Sequence, residues 1–124
     1  CREATRRIRR SGGEQDPGGG GGRLVNVGAR PALVPAGGMV AYSTSKAGVV
    51  SLTQCLSEEL AGDGIWVNAV VPSIMDTPGN RAAMPDADHA AWPSVADVAR
   101  TVAFLASPDN AVTRGAVVPV YGRS

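Results

Sequence analysis

The sequence has few of the residues that build disulfide-rich or metal-binding domains. Among its 124 residues, two are cysteine and one is histidine. Two cysteines cannot supply the disulfide framework of a small secreted domain. We expect Cys55 to be a buried thiol near the apolar face of a helix, with Cys1 in an N-terminal tail. His89 has no partners at metal-ligand spacing, so we expect a solvated loop residue and no metal site.

Long apolar runs and a large excess of one charge are also absent. Hydrophobic residues make up 44% of the chain, the formal net charge is +1, and no apolar run is long enough to span a membrane. The arginines of the first ten residues are diluted by Glu3 and have no aromatic residues between them. The composition therefore predicts a cytoplasmic protein that has neither a membrane nor a nucleic acid as a partner.

Residues 1–22 differ from the rest of the chain in composition. They are first rich in arginine and then in glycine, and contain too little apolar area to order themselves. The glycine run that ends at Gly22 precedes a predicted strand and opens no helix, so we interpret it as a linker and not as a phosphate-binding loop. We predict a disordered tail over 1–22 and a folded unit over 23–124. Because the sequence begins with Cys1 and not with Met, we also expect it to be a fragment or a misframed reading of a longer gene.

A strand, a helix and a second strand are predicted between residues 23 and 72. Residues 23–28 are typical of a short buried strand, and residues 65–71 form a second continuous apolar strand that ends at Pro72. Between them lies a predicted helix, which Gly62 and Gly64 stop. Its apolar face consists of Val49, Leu52, Leu56 and Leu60. Such a unit indicates a parallel sheet covered on both faces.

A second helix and a last strand are predicted downstream. Ser94 is typical of a helix cap, and the helix should end near residue 107. Its apolar stripe consists of Val95, Val98, Val102 and Leu105. The last strand contains Pro119, which cannot donate to a ladder and so predicts an edge position. Trp92 precedes the cap and is expected either to line a substrate pocket or to pack at the helix entrance.

Tyr42 and Lys46 form the most informative pair in the sequence. They lie four residues apart where the first helix begins, so their side chains share one helix face. An ammonium held that close stabilises a phenolate, which makes Tyr42 a candidate general acid and base. The spacing alone favours an ordinary helix with a solvated lysine. Their position favours a functional role, because the pair follows the end of the first strand and ligands of parallel sheets bind beyond the carboxyl ends of the strands.

The chain resembles the short-chain dehydrogenase/reductase family over about residues 23 to 122. Besides Tyr42 and Lys46, residues 67–77 are similar to the family's strand that leads to a nicotinamide-contacting loop, and residues 113–122 to its last strand. Two positions depart from the family pattern. Ser73 stands where a glycine is usual, and Tyr121 where an aspartate is common.

This resemblance implies a fold, a cofactor and a set of site residues. The fold would be α/β, a partial Rossmann-like doubly wound parallel sheet made of its last three strands with crossover helices, without the N-terminal half. The cofactor would be NADH or NADPH. Tyr42 and Lys46 would be catalytic and would also contact the cofactor together with Pro72, Ile74 and Thr77. The family further implies a small-molecule substrate and a homodimer formed through the helix after Tyr42.

One departure points to a particular branch of the family. Ala29 occupies the position of the serine that usually hydrogen-bonds the substrate carbonyl, and an alanine cannot donate such a bond. Dihydropteridine reductases similarly carry Gly-Ala there, and residues 76–88 are similar to their loop. The resemblance thus implies hydride transfer to a quinonoid dihydropterin.

Two functional alternatives remain open beside the dihydropteridine reductase branch. A generic carbonyl or 3-oxoacyl reductase would use the same Tyr42 and Lys46 pair. A non-catalytic fragment or interaction module would keep the pair but would be unable to bind a dinucleotide alone, because the chain has no glycine-rich turn between a strand and a helix.

Overall fold

Three parallel strands and three helices make up the part of the chain that the computed structural model describes, residues 21–124. The tail expected over 1–22 lies outside this part except for its last two residues. The strands are β1 (Arg23–Val27), β2 (Trp66–Pro72) and β3 (Val117–Val120). The helices are α1 (Val40–Leu60), α2 (Pro78–Ala83) and α3 (Val95–Ala106). Short 3₁₀ turns occupy Arg30–Ala32, Ala61–Asp63 and His89–Ala91.

The sheet has the order β1-β2-β3, and both pairings are parallel. In its register, Leu24 lies beside Val67 and Ala69 lies beside Val117. The predicted α/β class and parallel sheet are therefore confirmed. Strand β3 pairs only with β2 within the described residues, and its Pro119 is exposed, so the edge position predicted from this proline is correct as well.

Helix α1 connects β1 to β2 and ends where glycine permits a tight turn. The helix stops at Leu60, and one 3₁₀ turn leads to Gly64, whose φ of 68° lies in the left-handed region. Gly64 also packs directly on the backbone of Gly21. A Cβ atom on residue 21 would collide with the Gly64 carbonyl oxygen. The predicted helix stop is therefore confirmed.

The face that α1 turns toward the sheet is partly polar. Leu60 is buried with Ile65 and Val67, and Leu24 and Leu56 pack against this core. Next to it, the Thr53 hydroxyl accepts a hydrogen bond from Asn26 Nδ2 at 3.0 Å and donates one to the Val49 carbonyl at 2.7 Å. Ser57 is also fully buried on this face.

Two expectations for α1 are wrong. Cys55 is exposed and not a buried thiol, and Leu52 is 43% exposed and not part of the core. The buried stripe runs through Thr53, Ser57 and Leu60, spaced four and three residues apart, so Leu52 and Cys55 are turned away from the sheet. A search for apolar residues misses this stripe, because two of its members are small and polar.

Helix α3 packs on β1 and β2. Ser94 Oγ accepts a hydrogen bond from the Asp97 N–H at 3.0 Å, which confirms the predicted cap. Of the predicted stripe, Val98 and Leu105 are buried whereas Val95 is half exposed. The helix ends at Ala106, next to the predicted residue 107.

Strand alternation separates α1 from α3. On one face of the sheet, Asn26 and Val67 contact residues of α1. On the other face, Arg23 Nε donates to the Asn110 carbonyl and Asn68 Nδ2 donates to the Thr113 carbonyl, and both acceptors follow α3 in the sequence. Since neighbouring residues of a strand face opposite sides, the two helices cover opposite faces of the sheet. Because both faces are covered, the ends of the strands are the part of the sheet that is open to a ligand.

Candidate active site

The carboxyl ends of the three strands meet at one edge of the sheet. Gly28 and Ala29 follow β1, and the Gly28 N–H bonds the Val70 carbonyl at 2.8 Å. Ser73 follows β2, and its hydroxyl donates to the carbonyl of Tyr121, which follows β3, at 3.0 Å. This hydrogen bond joins the last two strand ends. It also gives a role to the Ser73 side chain, which stands at one of the positions that depart from the family pattern.

Tyr42 and Lys46 occupy the first two turns of α1. Lys46 Nζ lies 5.8 Å from the centroid of the Tyr42 ring, so the predicted juxtaposition is present. The Tyr42 side chain is 45% exposed, and Lys46 is half-buried. Within residues 21–124, neither the phenol nor the ammonium has a hydrogen bond or an ion pair with a protein group. Both are therefore available to a ligand.

The segment after β1 contacts the helix that carries this pair. The 3₁₀ turn Arg30–Ala32 packs against α1. Ala29 precedes the turn in an extended conformation, and its carbonyl accepts a hydrogen bond from the Ala32 N–H at 2.9 Å. Its methyl side chain has no donor. The electrophilic contact that a serine would supply is absent at this position.

The loop after β2 carries the remaining predicted site residues. Pro72 is buried at the end of β2, whereas Ile74 is 43% exposed, and its backbone N–H has no acceptor among the described residues. Thr77 caps α2, where its hydroxyl oxygen accepts from the Asn80 N–H at 3.2 Å. The hydroxyl proton of Thr77 is left for a ligand. Pro72 itself pairs with Val120 of β3.

Two further residues, which the sequence analysis did not single out, hold this loop in place. Arg81 makes a two-pronged ion pair with Asp76, at 2.5 and 2.8 Å, and this hydrogen-bonded pair lowers the pKa of Asp76 from its ordinary value. Asn80 Nδ2 donates to the Met75 carbonyl at 2.8 Å. The available signal was the pattern Asp-Thr-Pro-x-Asn-Arg itself, which encodes the start of a capped helix.

A cavity of about 380 Å³ lies beside the start of α3, away from this pair. Trp92, Val98 and Val120 are among its lining residues, but Tyr42 and Lys46 are not. Trp92 therefore lines a pocket, and it also packs at the helix entrance against the His89 ring, at 4.6 Å between centroids. His89 Nε2 lies 2.8 Å from the Met84 carbonyl oxygen.

Searches for metal clusters and membrane spans within residues 21–124 find neither. No group of three or more His, Cys, Asp or Glu side chains could hold a metal ion in this part of the chain. None of the helices described is long and apolar enough to cross a bilayer.

The fold and the Tyr42 and Lys46 pair define a class of α/β proteins with a site at the carboxyl edge of a parallel sheet. Residues 14–88 match the family model described as short chain dehydrogenase, and the chain belongs to this family.

Curated relatives of the chain share about a third of its residues. The rat (3R)-3-hydroxyacyl-CoA dehydrogenase is 38% identical over 114 residues, which cover 84% of this chain and 43% of that protein. A 3-oxoacyl-[acyl-carrier-protein] reductase of Pseudomonas aeruginosa is 34% identical over 110 residues, covering 82% and 44%. The chain thus spans less than half the length of these relatives.

Solved structures agree with the fold. A short-chain type dehydrogenase/reductase from Mycobacterium ulcerans superposes with a TM-score of 0.83 at 25% identity, over 98% of this chain and 45% of that one. A 3-ketoacyl-(acyl-carrier-protein) reductase from Brucella melitensis, complexed with NADH, superposes with a TM-score of 0.79 at 28% identity. The superposition covers 99% of this chain and 51% of that one.

Proposed function

We propose that the chain supplies the catalytic part of an NADH- or NADPH-dependent oxidoreductase that reduces a carbonyl group or oxidises the corresponding alcohol. The observation that carries the proposal is the Tyr42 and Lys46 pair, which stands free of other partners among residues 21–124 at the carboxyl edge of the sheet. A phenol can act as a general acid, and the ammonium beside it supplies a positive charge at the same site.

The reaction requires one proton transfer from the protein. When bound, a reduced nicotinamide supplies the hydride that adds to the carbonyl carbon. The π electrons of the carbonyl move to its oxygen, and that oxygen takes the proton from Tyr42 Oη. Lys46 would stabilise the resulting phenolate and would hold the nicotinamide ribose by a hydrogen bond.

The loop after β2 suits the nicotinamide amide group. The Ile74 N–H and the Thr77 hydroxyl are free donors, and Pro72 and the Asp76–Arg81 pair fix the loop that presents them. The carbonyl oxygen of a primary amide accepts hydrogen bonds, which both groups can donate. We assign Ile74 and Thr77 to that contact.

We propose a 3-oxoacyl or 3-hydroxyacyl thioester as the first substrate class to test. The two curated relatives described above carry names of enzymes that act on such thioesters. A quinonoid dihydropterin is the second class. It is supported by Ala29, because a quinonoid ring is already electrophilic and has less need of the missing serine. The comparisons do not single out dihydropteridine reductase.

The test is oxidation of NADH and of NADPH, followed by absorbance, with acetoacetyl-CoA and with quinonoid dihydrobiopterin. We expect turnover with at least one pair. Tyr42→Phe should lower the rate by about 10²- to 10⁴-fold, because it removes the proton donor and leaves the ring in place. Thr44→Val is the matched control, since Thr44 is exposed on the same turn and should keep the wild-type rate.

Two outcomes would contradict the proposal. Retention of most of the rate by Tyr42→Phe would remove Tyr42 from the mechanism. Absence of both turnover and NADH binding, measured by tryptophan fluorescence of the 124-residue chain, would favour the non-catalytic interaction module.

We further propose a homodimer through the outer face of α1. Gly48, Leu52 and Cys55 are exposed there, spaced four and three residues apart, so they form one stripe on the side away from the sheet. An apolar stripe with a glycine allows a second helix to approach closely.

A further inference from the structure

Only two of the basic side chains of residues 21–124 lack a hydrogen bond or an ion pair within that part of the chain. Five arginines have such partners: a carboxylate for Arg81, Arg100 and Arg114, and a backbone carbonyl for Arg23 and Arg123. The two without are Lys46 and Arg30. Lys46 belongs to the catalytic pair, which leaves Arg30 without an assigned role.

Arg30 lies at the same edge of the sheet as the catalytic pair. It follows Ala29 directly, and its 3₁₀ turn packs against α1. Its guanidinium carbon lies 5.1 Å from the centroid of the Tyr121 ring, so the side chain bridges the end of β1 to the end of β3. Both residues are half-buried.

The contact with Tyr121 leaves the donors of Arg30 unused. A ring beneath a guanidinium attracts its charge and orients its plane, but accepts none of its in-plane N–H groups. Those N–H groups match the two oxygens of a carboxylate or a phosphate. A half-buried guanidinium that is already oriented loses less freedom on binding such a group.

We propose that Arg30, oriented by Tyr121, binds an anionic group of the substrate, a carboxylate or a phosphate. This inference rests on the proposed function for the identity of the substrate, but the binding itself requires no nicotinamide. The contact with Arg30 selects anionic carbonyl compounds over neutral ones of the same shape.

The test is a titration of the full 124-residue chain, followed by the NMR signals of the arginine Nε–H groups. The probes are acetoacetate, pentane-2,4-dione and inorganic phosphate at constant ionic strength. Acetoacetate and the dione both carry a ketone, but only acetoacetate carries a carboxylate. We expect saturable binding of at least one anion with a shift of the Arg30 signal, and no comparable shift with the dione.

Variants locate the binding. Arg30→Gln should weaken anion binding by about tenfold or more, as expected for loss of charged hydrogen bonds. Arg30→Lys keeps the charge without the planar fork and should weaken it several-fold. Arg100→Gln is the control, because it removes the same charge from α3. Tyr121→Phe keeps the ring and should bind normally, whereas Tyr121→Leu should bind more weakly.

Each outcome decides the proposal. Tighter binding of acetoacetate than of phosphate would support a substrate carboxylate, and the reverse would support a substrate phosphate. Equal binding of acetoacetate and the dione, unchanged binding by Arg30→Gln, or no saturable binding of either anion would overturn it. If Arg30→Gln does not fold, Arg30→Lys and Tyr121→Leu give the same test. Absence of reductase activity leaves these results unaffected, so failure of the proposed function is seen separately.

Discussion

The Asp76–Arg81 pair shows how one surface contact fixes the geometry of a neighbouring site. Both oxygens of the Asp76 carboxylate accept from the Arg81 guanidinium, and Asp76 is also tied to α3 by its N–H, which bonds the Pro93 carbonyl at 3.0 Å. Asp76 lies between Ile74 and Thr77 in the sequence, so both contacts hold the loop that carries these two residues. A planar fork fixes a carboxylate in orientation as well as in distance.

Stability should therefore depend on pH through Asp76. Its pKa in the folded protein is lowered from 3.8, chiefly by the hydrogen bond from Arg81, so the pair stabilises the fold above pH 3.8 and this contribution is lost as the pH falls through the folded value. We expect Asp76→Asn to melt at a lower temperature than the wild type at pH 7. The two melting curves should converge as the pH falls below 3.8.

Asp86→Asn provides the control for this measurement, because Asp86 is an exposed carboxylate of the same region. It should melt like the wild type at pH 7. Thermal unfolding followed by circular dichroism at several pH values is sufficient. The melting temperatures of the wild type and Asp76→Asn could instead differ by the same amount down to the lowest pH. That result would show that the asparagine lowers stability by something other than the loss of charge.

A serine side chain caps the start of α3. Ser94 Oγ satisfies the Asp97 N–H, which has no partner within the helix, and also donates to the Asp97 carboxylate at 2.5 Å. Ser94→Ala should lower the free energy of unfolding by about 1 kcal/mol, measured by urea denaturation. Ser51→Ala, on the exposed side of α1, should change it much less. Equal effects of the two variants would contradict a capping role.

The elements differ in how well their sequences predict them. Strands β1 and β2 and the cap of α3 follow from local signals, namely a continuous apolar run and a serine before a helix. Helix α2 has no such signal. Its six residues are too short for a periodic pattern, and the residues that start it resemble the loop of one branch of the family.

The pattern at residues 76–81 is better explained by local structure. Asp76 pairs with Arg81, Thr77 caps the helix, Pro78 opens it and Asn80 bonds back to the Met75 carbonyl. These contacts account for each conspicuous residue without reference to a substrate. A shared pattern of this kind therefore gives little information about a substrate.

Long-range contacts could not be predicted from the sequence for a physical reason. The contact of Arg30 with Tyr121 and the hydrogen bond of Ser73 with Tyr121 join residues 91 and 48 positions apart, and they depend on the order of the strands. No periodicity of a single element encodes such contacts. The Tyr42 and Lys46 pair was predictable because it lies within one helix.

Two surfaces of the described part of the molecule favour assembly, namely one side of the sheet and the outer face of α1. Strand β1 pairs on one side only within the described residues, and the outer face of α1 exposes Leu52. An exposed edge or an apolar stripe on a small domain favours association. The stripe of Gly48, Leu52 and Cys55 is self-complementary in a two-fold pair, because the same residues can face each other across the axis.

Leu52→Asp should consequently dissociate the proposed homodimer. In sedimentation equilibrium we expect twice the 12.6 kDa chain mass for the wild type and the single-chain mass for the variant, since two carboxylates would be buried against each other at the axis. Val112→Asp is the matched control, because Val112 is 84% exposed and lies far along the chain from α1. A wild-type monomer, or dissociation by Val112→Asp as well, would exclude α1 as the interface. Dissociation by Leu52→Asp alone would place the two Tyr42 and Lys46 pairs on helices that pack together, so that assembly and the site share one element.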